Sequence, residues 1–298
     1  MSFIAYGYAL TGLPSELGGV DDAAHPSHRR TLAFACTHRS EASVSESSLV
    51  ETESSLTVAW PGYGEFVVRF DRSPELDVAR NDVDELEAAI CCCQSALPMA
   101  LPLLGLEPLH ASAVATFAGA LLLVGPSGSG KTTLATTLLG RGHALVADDA
   151  CAFDDDGRLW PGPPLMNLRP DAAAGRVAGK VVGPYNEKLA MMPTRWCPAP
   201  TGVAAVVMLE PEPGTDLIFR ALSAREALPA VLAHVRTPSV FVDRRRSAQL
   251  RLAARLSTGH VATMSYDQGR HSASETVDAI LAGLAGCVPT PAQGSAST

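Results

Sequence analysis

Lysine is nearly missing from this chain: of 298 residues only Lys131, Lys180 and Lys188 are lysine, within a total of 23 Lys plus Arg. Set against 31 Asp plus Glu, this gives a net charge of −8. Such a balance repels a polyanion, so no nucleic-acid partner is expected. The seven cysteines contain no CxxC pair, which removes the common zinc frameworks. Three of them, Cys91, Cys92 and Cys93, are adjacent, and neighbouring side chains on a helix diverge by about 100°, so they cannot close around one metal. They are expected to be reduced and packed as small hydrophobes. No Lys or Arg precedes the apolar start of the chain, so the charged region of a signal peptide is lacking and a cytoplasmic location is expected. No clean membrane span exists either. The apolar run 88–106 is rich in Ala and interrupted by Gln94, Pro98 and Pro102, which predicts a buried helix ending near Pro98 and no membrane association.

What is present has two characters. Residues 31–36, 55–60 and 65–70 read as strands, with Pro61-Gly62 as a turn signal. Asp82, Asp84 and Glu85 then place negative charge ahead of Leu86 and Ile90, as at a helix start. From Leu106 strands and helices alternate. Strands are expected over 109–116, 120–124, 144–147, 203–209 and 261–265, and helices over 131–140, 225–233, 247–256 and 274–284. This predicts an α/β sheet covered on both faces. The expected division is a β-rich N-terminal domain over 1–105 ending in a helix, a catalytic domain over 106–286, and a disordered Pro/Ser/Thr/Ala tail over 287–298.

Gly125-Pro126-Ser127-Gly128-Ser129-Gly130-Lys131-Thr132 fits GxxxxGK[ST] at each fixed position, directly after an apolar strand and before a helix. The composition makes about 0.003 accidental matches expected. Glycines allow torsions that turn successive N–H groups inward, and the following helix adds its positive end. Gly125, Ser127, Gly128, Ser129, Gly130, Lys131, Thr132 and Thr133 are therefore the predicted nucleotide contacts. Lys131 reaches the phosphates, and the Thr132 hydroxyl is placed for Mg²⁺.

A metal also needs carboxylates, and strand 144–147 ends in Asp148-Asp149. Adjacent residues on an extended segment face opposite ways, so one is expected to hold metal and the other to act as base. A hairpin centred near Ala118 would set His110 opposite residue 126, beside the phosphates, with Glu107 available to orient it. Asp154, Asp155 and Asp156 read as a solvated turn into Gly157. Residues 161–195 carry Arg169, Arg176, Lys180, Lys188 and Arg195 without a clear period, which suggests a loop closing on phosphates. Arg169 is its leading candidate. Glu210, after strand 203–209, is where a motor ATPase would keep its acid.

Leu109-His110-Ala111-Ser112, then Gly125–Thr133, then Arg141-Gly142-His143-Ala144-Leu145-Val146-Ala147-Asp148-Asp149, resemble the HPr serine kinase/phosphorylase family in order and spacing. The resemblance runs from about 106 to 284 and implies a P-loop kinase domain of the HPr kinase C-terminal type, related to phosphoenolpyruvate carboxykinase. It implies an active site of His110, Lys131, Asp148 and Asp149, with Thr132 and the aspartates at the metal. The chain departs from the family in lacking a Glu-Ile-Arg-Gly loop after Pro164 and in its first hundred residues. In that it is similar to HPr-kinase-like proteins of ribosomal peptide pathways, including lasso peptide kinases.

The expected activity is ATP- and Mg-dependent transfer of a phosphoryl group to a Ser/Thr hydroxyl of a peptide or protein. Another nucleoside triphosphate as donor and a homo-oligomeric state are both left open. A small-molecule kinase of the carboxykinase kind and a catalytically silent nucleotide switch are the alternatives.

Overall fold

The computed structural model describes residues 3–17, 30–38, 44, 46–69, 75–170 and 179–287. The predicted tail lies outside these residues apart from Cys287, and so does Arg176. Strands β1 (Phe3–Ala5), β2 (Tyr8–Thr11), β3 (Arg30–His38), β4 (Ser48–Glu51), β5 (Ser55–Trp60), β6 (Gly64–Arg69) and β7 (Glu75–Arg80) form one sheet in the order β1-β2-β3-β7-β6-β5-β4. One residue in two along these strands is apolar and buried: Leu32 and Phe34, Leu56 and Val58, Phe66 and Val68, Leu76 and Val78. That face packs on a helical stretch made of α1 (Glu85–Cys91), a wide π turn (Cys92–Ala96), α2 (Leu97–Ala100) and a 3₁₀ turn (Leu101–Leu104). Asp84 caps α1 by accepting from the Glu87 N–H.

The stretch does not end near Pro98. The π turn, in which the Leu97 N–H reaches back to the Cys92 carbonyl, widens the coil just where the proline ring would otherwise strike the preceding turn. By length and composition Glu85–Leu104 could cross a membrane, but 67% of its most apolar window is buried within the protein. Cys91, Cys92 and Cys93 are wholly buried in this core and free. Burial pushes the Cys91 and Cys93 thiols up to about 12, which keeps them protonated.

The following strands are β8 (Glu107–Leu109), β9 (Ala111–Thr116), β10 (Gly119–Val124), β11 (Ala144–Ala147), β12 (Cys151–Phe153), β13 (Leu159–Trp160), β14 (Met166–Leu168), β15 (Gly179–Tyr185), β16 (Lys188–Pro193), β17 (Val203–Pro211), β18 (Ile218–Ala221) and β19 (His260–Tyr266). The central six-stranded sheet has the order β11-β9-β10-β17-β19-β18. Leu121 and Leu123 of β10 pack with Leu134 and Leu138 of α3 (Lys131–Gly140) and with Val277 and Ile280 of helix Ala273–Cys287. Ala120, Leu122 and Val124 face the other way, against Ala227 and Val231 of helix Ala224–Leu232 and Leu252 and Leu256 of helix Val242–Ser257. Both faces are covered, which explains why β10 reads as an unbroken apolar run. The overall class is mixed α/β with several sheets.

Three expectations are corrected. The strand expected over 109–116 breaks at His110, whose N–H leaves the ladder to donate to the His234 carbonyl at 2.9 Å. The β9–β10 hairpin turns on Phe117 and Ala118, pairing Thr116 with Gly119 and Ala111 with Val124. Continued by one step, that register sets His110 level with Gly125 rather than residue 126. The segment 161–195 is not a loose loop among the described residues, because β14, β16 and β15 form an antiparallel sheet. Its period is hidden by prolines and by a register shift between Val181 and Gly183. The acidic turn at 154–157 lies where expected: the Gly157 N–H donates to the Asp154 carbonyl, and Asp155 pairs with Arg251.

Candidate active site

Topology gathers the site before any side chain does. β10, β17 and β19 are mutually parallel, and β9 runs antiparallel to both β10 and β11. The carboxyl ends of β10, β11, β17 and β19 therefore share one edge with the amino end of β9. That edge carries the glycine loop, Asp148, Tyr266 and His110, the position at which open α/β sheets bind ligands.

The loop from Gly125 to Gly130 leads into α3. Gly128 and Gly130 adopt φ of +83° and +85°, torsions that favour glycine. Three ties fix the loop: the Ser129 N–H donates to the Pro126 carbonyl at 3.2 Å, Gln268 Nε2 to the Gly128 carbonyl at 3.0 Å, and the buried Tyr266 hydroxyl to the Ser129 carbonyl. The first turn of α3 has no intrahelical partners for its N–H groups. Ser127, Gly128, Gly130, Lys131, Thr132 and Thr133 line a cavity of about 680 Å³, while Gly125 and Ser129 are buried beneath it. Arg169 and Lys188 line the same cavity from the three-stranded sheet. Lys131 Nζ donates to the Gly125 and Pro126 carbonyls at 2.8 and 2.9 Å. Burial depresses the lysine pKa, and the charges of Asp149 and Asp148 oppose that shift.

The two aspartates have different surroundings. Asp148 is 4% exposed and accepts from the Ser112 hydroxyl, from Thr132 Oγ1 at 3.2 Å and from the Asn167 N–H at 3.4 Å. Burial raises its pKa, the neighbouring Asp149 charge adds to the rise, and these hydrogen bonds oppose it. Asp149 holds φ +68°, a left-handed torsion that is uncommon for a non-glycine residue and recurs at functional turns. The turn aims its carboxylate away from Asp148 and towards His110, whose Nδ1 lies 3.1 Å from Asp149 Oδ1 and 3.0 Å from the Asp149 carbonyl. Burial would raise the Asp149 pKa, but the hydrogen bond from His110 and the positive charges of Arg236 and Lys131 hold it below the ordinary range.

Both neighbours of His110 Nδ1 are acceptors, so Nδ1 carries the proton. Nε2 is buried without a partner among the described residues. Glu107 does not orient the ring. It accepts from Arg245 and from Thr237, since residues three apart on an extended chain point to opposite faces. Glu210 is exposed and accepts from Ser265.

Among the described residues no three His, Cys, Asp or Glu side chains gather as a metal cluster. A cation at Thr132 and Asp148 would take its remaining ligands from phosphate and water, as magnesium commonly does. Ser112, Asn167, Tyr266 and Gln268 join the site without having been expected there. Ser112 carries a sequence signal: it lies two residues from His110, on the same face of an otherwise apolar strand. Tyr266 and Gln268 had no signal beyond following a core strand.

No known protein family matches the chain, and no curated protein matches it in sequence. Among solved structures, that of the Hpr(Ser) kinase/phosphatase from Coxiella burnetii is similar with a TM-score of 0.31 and 13% identity, over 59% of this chain and 88% of that one. This is a distant structural relationship.

Proposed function

We propose that this protein is an ATP- and magnesium-dependent kinase that phosphorylates a serine or threonine hydroxyl of a peptide or protein. The observation that carries the reading is the division of labour between adjacent carboxylates. Asp148 is buried against Thr132 at the glycine loop, whereas Asp149 is half exposed beside His110. The residues fit a nucleotide: open N–H groups at the start of α3, a lysine bound to loop carbonyls, and a hydroxyl–carboxylate pair for a cation. Bound ATP with magnesium would supply the transferable γ-phosphoryl group.

In this arrangement Lys131 swings from the Gly125 and Pro126 carbonyls to the phosphates, where its charge opposes the negative charge of the transferring group. Thr132 and Asp148 would hold the cation. Asp149, kept ionised, orients the acceptor hydroxyl and takes its proton as the oxygen bonds to phosphorus and the bond to the leaving diphosphate breaks. His110 fixes the Asp149 carboxylate in place.

Transfer from radiolabelled ATP to a library of Ser/Thr peptides tests the reading. Lys131→Ala should abolish transfer with the fold intact. Asp149→Asn should reduce it by about 10²–10⁴, the usual contribution of a positioned base, while ATP affinity changes little. Wild-type turnover by either variant would refute the assignment.

A further inference from the structure

A second cavity, of about 430 Å³, shares His110 and Asp149 with the loop cavity. Its other walls come from the N-terminal sheet and the helical stretch: Leu49 on edge strand β4, Trp60 on β5, Gln94 in the π turn and Met99 in α2, with Arg236 on the remaining side. A space of this size encloses a short run of side chains, not the face of a folded domain.

Two residues that line it carry a buried nitrogen with no partner among the described residues: Gln94 Nε2 and His110 Nε2, on residues 5% and 6% exposed. Leaving such groups unpaired is costly, so each is a demand on whatever enters. The glutamine amide nitrogen only donates and calls for a carbonyl oxygen. His110 Nε2, with the proton on Nδ1, only accepts and calls for an N–H donor. The backbone of an extended peptide offers both groups a few ångströms apart and leaves a serine or threonine hydroxyl free to donate to Asp149. The neighbouring Leu49, Trp60 and Met99 are half-buried apolar surfaces that a polar or glycine-flanked residue would leave wet.

From this geometry we infer that the second cavity is the acceptor site, and that it selects an extended peptide whose phosphorylated Ser or Thr is flanked by large apolar side chains. The inference rests on the kinase reading and deepens it. Leu49 and Trp60 of the N-terminal sheet and the helical stretch thereby set specificity, and the cavity brings the acceptor hydroxyl to Asp149.

N-acetyl-Leu-Ser-Leu amide and N-acetyl-Gly-Ser-Gly amide, titrated calorimetrically into the full chain, test this. The leucine peptide should bind at least about tenfold tighter. Leu49→Arg and Gln94→Leu should each weaken it by about tenfold or more, with ATP–Mg affinity unchanged as the check on folding. Equal affinities for the two peptides overturn the inference, as do variants that bind the leucine peptide like wild type, or absence of binding by both peptides while ATP binds. If the peptides discriminate but ATP does not bind, the kinase reading falls, and with it the role of the cavity as an acceptor site.

Discussion

Alanine in place of each loop glycine separates what the loop needs. Gly128 and Gly130 share nearly the same torsion, φ +83° and +85°, at which an L residue costs about 1–2 kcal/mol. Alanine also narrows the unfolded ensemble, which offsets about 0.4–1 kcal/mol. The difference lies in the surroundings. A Cβ at Gly128 meets nothing within 4 Å, whereas one at Gly130 falls 3.0 Å from the Tyr266 hydroxyl. The hydroxyl must give by a few tenths of an ångström, which strains its bond to the Ser129 carbonyl, a bond worth about 0.5–1.5 kcal/mol. Gly128→Ala should thus destabilise the ligand-free protein by about 1 kcal/mol and Gly130→Ala by about 2 kcal/mol. Gly125 differs again, since its φ lies outside the left-handed region, yet a Cβ there meets Ser129 Oγ at 2.7 Å and the Leu209 carbonyl at 3.0 Å. Overpacking of this kind costs about 1–3 kcal/mol.

Urea unfolding of the three variants gives the stabilities, and calorimetry with ATP–Mg gives the affinities. Gly128→Ala should keep nucleotide affinity within about tenfold of wild type, the equivalent of about 1.4 kcal/mol. Gly125→Ala and Gly130→Ala should lose more, because they move Ser129 and the start of α3. Equal damage at Gly128 and Gly130 would refute the role given to Tyr266 and leave the shared torsion as the sole constraint.

The Asp148 pKa is raised on folding, mainly by burial, so the unfolded chain ionises first as pH rises. Stability is lost from the ordinary carboxylate range up through the raised folded value, and the loss persists at neutral pH. Asp148→Asn cannot ionise, so its urea midpoint measured with chelator should rise relative to wild type across that window and then hold a constant lead; a pH-independent difference would contradict this. Tyr266→Phe should cost about 0.5–1.5 kcal/mol through the lost bond to the Ser129 carbonyl, read by the same unfolding assay, and a neutral result would show the hydroxyl to be dispensable.

Period and punctuation made the central sheet legible. β10 and β17 are apolar without a break because helices cover both faces, and Gly119 and Gly125 bound β10 cleanly. The strands that escaped notice are short or carry charge, such as β7 (Glu75–Arg80), whose Glu75 and Asp77 alternate with buried Leu76 and Val78. Helix Val242–Ser257 starts five residues before its apolar period shows, since its first turn is Val242-Asp243-Arg244-Arg245-Arg246. Those charges reach partners distant in sequence: Arg244 pairs with Glu51 and Arg245 with Glu107. Local patterning carries no trace of such pairs.

The site shows the same division at finer grain. Asp148 and Asp149 face different ways through a bend after Ala147 and the left-handed torsion at Asp149, not through the alternation of an extended chain that the sequence suggests. Which aspartate meets Thr132 was not written in the spacing, because it depends on β11 lying parallel to β10, one strand removed across β9. His110 was placed within one residue of its true level by counting from the turn. Its partner was misread as Glu107, because strand parity favours a residue on the neighbouring strand end over one three positions back. Asp149 is that residue, and it faces both cavities together with His110. A carboxylate held ionised between the glycine-loop cavity and a pocket lined by Gln94 and His110, whose Nε2 atoms have no partner among the described residues, is positioned to join two ligands, which is why the chemistry proposed here is a transfer and not simple retention of a nucleotide.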